Sequence, residues 1–130
     1  MPDRRRTAAA AARRLATSGE EIAATYLRSR GFEILARNWR TGRRELDIVA
    51  REGDVVAFVE VKTRAGGPQA PLEAISWAKR RQVRRAAESW IHRHPGIGRE
   101  FRFDAIGVLV KAGGTPIVEH VRAAFYADDA

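Results

Sequence analysis

The segment Val55–Lys62, VVAFVEVK, constrains the fold more than any other stretch of the chain. Side chains alternate along a strand, so Val55, Ala57, Val59 and Val61 share one face and Val56, Phe58, Glu60 and Lys62 the other. Both faces are apolar for most of its length, which marks a central strand covered on both sides. Glu60 and Lys62 break that pattern at its end. A buried carboxylate or ammonium costs free energy unless it is paired or binds an ion, and Val or Thr would serve structure better.

The preceding apolar segment, Leu46–Ala50, repeats the anomaly: Glu45 and Asp47 share a face with Val49. Glu52-Gly53-Asp54 supplies a hairpin turn, and a hairpin about Gly53 pairs 47 with 60, 49 with 58 and 51 with 56. Asp47 is therefore expected directly across from Glu60. Facing carboxylates repel unless a cation lies between them, and oxygen ligands of this kind suit Mg²⁺ or Mn²⁺. Lys62 would then orient or deprotonate an attacking water, or stabilise a pentacoordinate phosphoryl transition state. The plainer use of the same residues is a cross-strand ion pair at a sheet edge.

The rest of the chain reads as a frame for this hairpin. Ser18 and Glu21 have capping-box spacing; Ile22, Ala23, Tyr26 and Leu27 recur at helical intervals, and Gly31 ends the helix. Phe32–Trp39 reads as a strand closed by a turn at Thr41-Gly42. After a Gly/Pro-rich loop at residues 65–71, a helix runs from about Leu72 or Ser76 to His92, with Val83, Ala86, Ala87, Trp90 and Ile91 on one face. Phe101–Val110 and Ile117–Val121 are further strands, separated by a turn at Ala112-Gly113-Gly114. The order α-β-β-β-α-β-β predicts an α/β three-layer sandwich, a central mixed sheet flanked by helices.

Two more charges lie in line with apolar helix faces. Glu20 precedes Ala23 and Leu27 by three and seven residues; it either serves the positive helix N-terminus or joins the acidic site. Lys79 precedes Val83 and Ala86 by four and seven; it either snorkels outward or reaches a phosphate. Arg80, Arg81, Arg84 and Arg85 form a basic flank suited to a nucleic-acid backbone. His92 and His94 have no acidic or cysteine neighbours to make a ligand set. Trp39 is read as core, with stacking on a base as the alternative.

Composition narrows the classes. At 130 residues there is room for one domain, expected over 18–127, with 1–17 a flexible Arg/Ala-rich extension. Lys and Arg number 24 against 16 Asp and Glu, a net charge of +8, which favours a polyanionic partner. Five arginines against Asp3 place half of that excess in the extension. The chain has no Cys, excluding disulfides, thiolate metal sites and cysteine nucleophiles. No apolar run spans a bilayer, and the expected compartment is cytoplasmic.

The motifs Gly19-Glu20, Tyr26-Leu27, Gly31-Phe32, Asn38-Trp39-Arg40, Glu45-Leu46-Asp47, Phe58 to Arg64, Lys79, Arg102-Phe103-Asp104 and Ala124-Phe125, in that order, resemble the YraN-like family of predicted endonucleases. That family is distantly related to archaeal Holliday-junction resolvases and the restriction-endonuclease-like fold. The resemblance implies that Asp47, Glu60 and the Val61 carbonyl hold the metal, that Lys62 is catalytic and that Glu20 completes the catalytic set. The position before Glu45, usually Gly in that family, is Arg44 here. The expected function is metal-dependent hydrolysis of phosphodiester bonds in DNA, branched or structured sites included, with Arg43, Arg64, Lys79, Arg80 and Arg84 contacting the nucleic acid. A homodimer is the expected assembly for cutting two strands. A nucleic-acid-binding module that does not cleave, and a protein-interaction adaptor, are the alternatives.

Overall fold

The computed structural model describes residues 4–65, 77–111 and 113–125. Its elements are α1 (Arg4–Ser29), β1 (Glu33–Thr41), β2 (Arg44–Glu52), β3 (Val55–Ala65), α2 (Trp77–Arg93), β4 (Glu100–Val110) and β5 (Ile117–Phe125). The order is the one expected from sequence. The strands form one sheet in the order β1-β2-β3-β4-β5. Neighbours are antiparallel except β3 and β4, which are parallel. A parallel pair needs a long crossover, and the segment containing α2 provides it.

The first helix corrects the sequence reading. It begins at Arg4, so Ser18 is internal rather than an N-cap, and the expected extension is helical from Arg4 on. The physical reason is the alanine run, the best helix former available, which supplies hydrogen-bonded turns ahead of Ser18. The other end is as expected. The Phe32 N–H donates to the Leu27 carbonyl at 3.0 Å and the Gly31 N–H to that of Arg28 at 3.1 Å. This is a Schellman stop, with Leu27 and Phe32 both buried in the same apolar cluster. The start expected for α2 at Leu72 or Ser76, most of the 65–71 loop and Ala112 lie outside the described residues.

The β1–β2 and β2–β3 hairpins close through two-residue turns, Gly42-Arg43 and Gly53-Asp54, each led by a glycine at positive φ (60° and 59°). That backbone suits a tight hairpin and disfavours any side chain with a Cβ. The glycine shaping the approach to Asp47 is thus Gly42, and Arg44 begins β2 opposite Thr41.

Helices cover the sheet on both faces. Val56 and Phe58 pack with Val83, Ala86, Ala87 and Trp90 of α2; Ala57 and Val59 pack with Ala23, Ala24 and Leu27 of α1. Alternate residues of β3 therefore belong to two separate cores, as its two-sided apolar pattern requires. Phe58 is wholly buried, with ring centroids 5.8 Å from Trp90 and 5.6 Å from Phe103. α1 meets β3 closely at Gly19, where an added Cβ would overlap the Thr63 side chain. A glycine inside a helix costs roughly 0.5–1 kcal/mol, and here it permits that approach.

Candidate active site

The β2–β3 register is the expected one: Glu52↔Val55, Arg51↔Val56, Ala50↔Ala57, Val49↔Phe58 and Ile48↔Val59. The ladder stops there, one pair short of Asp47 and Glu60. In its place the Asp47 carboxylate accepts the Val61 N–H through Oδ2 at 2.9 Å. The departure has a local cause in β1 and β2. Asn38 adopts a left-handed backbone with φ 49°, and the ladder skips Asn38 and Asp47 between Arg37↔Ile48 and Trp39↔Leu46. Leu46 and Val49 join the core beneath α2 while Ile48 joins the one beneath α1, so strict alternation fails at Asp47. The β2–β3 ladder is open beyond Ile48↔Val59, and at that opening the carboxylates of Asp47 and Glu60 share a hydrogen bond.

Glu60 is only 5% exposed. Burial, then the Asp47 charge, pushes its carboxyl up to about 8, and the Lys79 ammonium offsets part of the rise. Lys79 Nζ lies 3.4 Å from Glu60 Oε2, long for a charge-assisted hydrogen bond, and the Lys79 side chain is 44% exposed. The cation therefore moderates the burial penalty without cancelling it. The other carboxyl oxygen, Oε1, is buried with no hydrogen-bond partner. Along one strand residue the C=O points to the same side as the N–H. The Val61 carbonyl thus faces the same opening as the N–H that Asp47 accepts. Lys62 follows, half-buried, in register with Gly107 of β4.

Glu20 approaches from α1 without joining the pair. Its carboxyl is pushed up by burial, drawn back by a hydrogen bond from the Asn38 side chain, and raised again by the charges of Asp47 and Glu45. It senses the pair electrostatically, but among the described residues no three His, Cys, Asp or Glu side chains converge as a metal-ligand group. Among the five expected nucleic-acid contacts, Lys79 touches Glu60 and Arg43 is exposed on the β1–β2 turn. Arg64, Arg80 and Arg84 are half-buried, each engaged with a neighbour. His94 is held by the Trp90 carbonyl, 2.7 Å from its Nδ1. Trp39 is half-buried against the core beneath α2, with Arg93 over its ring.

Residues 19–108 match the family described as "Uncharacterised protein family UPF0102". The chain belongs to the UPF0102 family. It is 46% identical over 112 residues to a UPF0102 protein of Nocardia farcinica, covering 85% of this chain and 88% of that one. It is 45% identical over 115 residues to one of Anaeromyxobacter dehalogenans, covering 88% and 85%. Against one of Clavibacter michiganensis the identity is 45% over 111 residues, covering 85% and 94%. The UPF0102 match begins at Gly19, the α1–β3 contact, and takes in Glu20, Asp47, Glu60, Lys62 and Lys79.

A second buried carboxylate in this UPF0102 chain gives the contrast that defines the first. Asp104 is wholly buried. It accepts from Arg102 Nε at 2.8 Å and Nη2 at 3.1 Å, and from the Ala123 N–H at 2.9 Å, with His120 Nε2 at 2.9 Å. Burial alone would raise its pKa, but the bonds from His120, Arg102 and Ala123 outweigh it and hold the carboxyl below its ordinary value. Both oxygens of Asp104 are satisfied; one of Glu60 is not. Asn38 and Arg102-Phe103-Asp104 stand out in the sequence only within family motifs, and neither the Asn38–Glu20 bond nor this network is legible there. The available signal was Asp104 itself, an acid between Phe103 and Ala105 at the start of the apolar run that ends β4.

Among the described residues no helix is long and apolar enough to cross a membrane.

Proposed function

We propose that this chain is a divalent-metal-dependent endonuclease of the restriction-endonuclease-like fold, hydrolysing phosphodiester bonds in DNA, with branched or structured DNA as the favoured substrate. The observation that carries the reading is the opening between β2 and β3. There Asp47 and Glu60 meet, the Val61 backbone turns inward and Glu60 Oε1 is buried without a partner. Leaving a buried carboxyl oxygen unsatisfied costs about 1–3 kcal/mol, and a cation would remove that cost. The donor set is all oxygen, which fits Mg²⁺ or Mn²⁺ rather than a softer metal.

Asp47, Glu60 and the Val61 carbonyl would hold the ion, which when bound supplies Lewis acidity to a phosphoryl oxygen and acidifies water. The chain's own residues do the rest. Lys62 presents its ammonium to the charge that develops on the phosphoryl group, and Lys79 eases the ionisation of Glu60. Glu20, held by Asn38, adds negative potential that favours a cation in the opening. The resemblance to the YraN-like endonucleases supports the same assignment, and resolvase-like action on two strands is consistent with a homodimer.

The test is cleavage of junction, flap and duplex DNA with Mg²⁺ or Mn²⁺, comparing the wild type with Asp47→Ala and Lys62→Ala. Loss of cleavage in both variants is the expected result. Equal trace activity in wild type and Asp47→Ala would sink the enzyme reading and leave a binding module.

A further inference from the structure

Between the β1–β2 turn and α2 lies a cleft of about 470 Å³ lined by Arg43, Arg44, Ala78, Arg81, Gln82 and Arg85. Two parts of the chain more than thirty residues apart build it: the β1–β2 turn gives Arg43 and Arg44, and one stripe of α2 gives the rest. Positions 78, 81, 82 and 85 follow the i, i+3, i+4, i+7 spacing of a single helix face. The opposite face carries Val83, Ala86, Ala87 and Trp90 into the core. Four guanidinium groups thus line one hollow with no carboxylate among the lining residues. None of the four forms an ion pair with a described acid. Like charges at i, i+4 cost a few tenths of a kcal/mol, a cost that an anion reverses.

The cleft and the carboxylate site share two elements, β2 and α2. Ala78 is the chain neighbour of Lys79, which contacts Glu60, and Arg44 is the neighbour of Glu45. Consecutive Cα atoms are about 3.8 Å apart. The residue that contacts Glu60, Lys79, thus directly follows a cleft residue on α2.

We infer that this cleft is a phosphodiester-backbone subsite, in which Arg43, Arg44, Arg81 and Arg85 hold the phosphates next to the one presented to Asp47 and Glu60. Guanidinium forks match phosphate oxygens in pairs, and a backbone contact of this kind positions the strand without reading its sequence. The inference rests on the nuclease reading for the identity of the anion, and it moves the main contact surface of α2 from the Arg80/Arg84 stripe to the Arg81/Arg85 stripe.

The experiment measures binding of a fluorescein-labelled DNA duplex in EDTA, where no hydrolysis occurs, across 50–200 mM salt. The proteins are the wild type, Arg81→Ala/Arg85→Ala, Arg43→Ala/Arg44→Ala, and a charge-matched pair elsewhere on the surface, Arg28→Ala/Arg99→Ala. Each phosphate contact contributes roughly −0.9 to the slope of log affinity against log salt. Either cleft pair should therefore flatten the slope by about 1.8, narrowing the affinity loss between 50 and 200 mM about twelvefold, while the distant pair leaves the slope unchanged. Equal flattening by the distant pair, an unchanged slope in both cleft pairs, or a wild type that binds no DNA overturns the inference. Cleavage is scored separately with Mn²⁺. A wild type that binds through the cleft but never cuts refutes the nuclease reading and leaves the subsite standing.

Discussion

Binding of a divalent cation at Asp47 and Glu60 should expel a proton, and the amount follows from the structure. Burial and the Asp47 charge push Glu60 up to about 8, so at pH 7 the free protein carries that proton in roughly nine molecules of ten. An ion can be held only by the carboxylate. Binding should release roughly 0.9 proton per ion at pH 7, about 0.5 at pH 8 and about 0.1 at pH 9. Apparent affinity should fall about tenfold for each pH unit below 8. Titration calorimetry with Mn²⁺ in buffers of low and high ionisation enthalpy reads the proton count directly. The same shift fixes the pH dependence of stability in the metal-free protein. The folded-state pKa lies above the ordinary value of 4.5, so between those two pH values the folded state binds more protons than the unfolded one. Stability therefore falls as pH rises across that window, by an amount on the order of 5 kcal/mol if Glu60 acts alone. Glu60→Gln should remove both the proton release and this part of the slope. Ion binding at pH 7 with no proton release, or release equal in Glu60→Gln and wild type, would refute the reasoning.

Three further substitutions test the frame around the site. Gly19→Ala should destabilise by about 1–3 kcal/mol through overlap with Thr63, despite the better helix propensity of Ala; chemical denaturation reads the loss, and a Thr63→Ala partner substitution should recover only part of it, because the Thr63 Cβ itself would lie 2.8 Å from the added methyl. Asp104→Ala should cost about 3–5 kcal/mol by leaving Arg102 and His120 without their buried partner. Because the Asp104 pKa is lowered, its contribution is present above the unfolded-state pKa and is lost as pH falls through the folded-state one. Wild type and variant should accordingly converge in denaturation midpoint at acid pH. Asn38→Gly keeps the left-handed backbone but removes the hydrogen bond that draws Glu20 down, so carboxyl ¹³C titration should show the Glu20 pKa moving up.

Fold legibility followed how local each determinant was. The two-sided apolar pattern of Val55–Val59 placed β3 at the centre of the sheet, because burial on both faces leaves no position for a polar side chain. Gly31 and Gly53 marked a helix stop and a hairpin, because tight geometry admits few residues. The start of α1 was misplaced for an equally physical reason: Ser18 and Glu21 satisfy a local capping pattern, but the alanine run ahead of them supplies the turns that make a cap unnecessary. The Asp104 network was hidden because its partners, His120 and Ala123, come from another strand. They meet Asp104 where the β4–β5 register shifts, between Phe103 and Ala105.

At the candidate site, hairpin arithmetic gave the correct register as far as Ile48↔Val59 and then overreached. It assumed that a ladder once begun continues, which would place Asp47 and Glu60 as an ordinary cross-strand pair. The left-handed backbone at Asn38 and the break in alternation at Asp47 end the ladder instead. The difference matters for chemistry. In a continued ladder, the backbone groups beyond Val59 would be spent on interstrand hydrogen bonds and the carboxylates would stand side by side above the sheet. Where the ladder ends, a side chain takes the Val61 N–H and one Glu60 carboxyl oxygen is buried without a partner. Asp104 shows that this fold can saturate a buried acid when structure is the only demand, with four donor contacts on two oxygens. Glu60 is nearly as buried and keeps an oxygen without a partner. A purely structural acid in that position would gain by satisfying the oxygen or by being replaced with an apolar residue. On the proposed metal-site reading, that deficit is the kind expected where a sequence serves a ligand rather than its own fold.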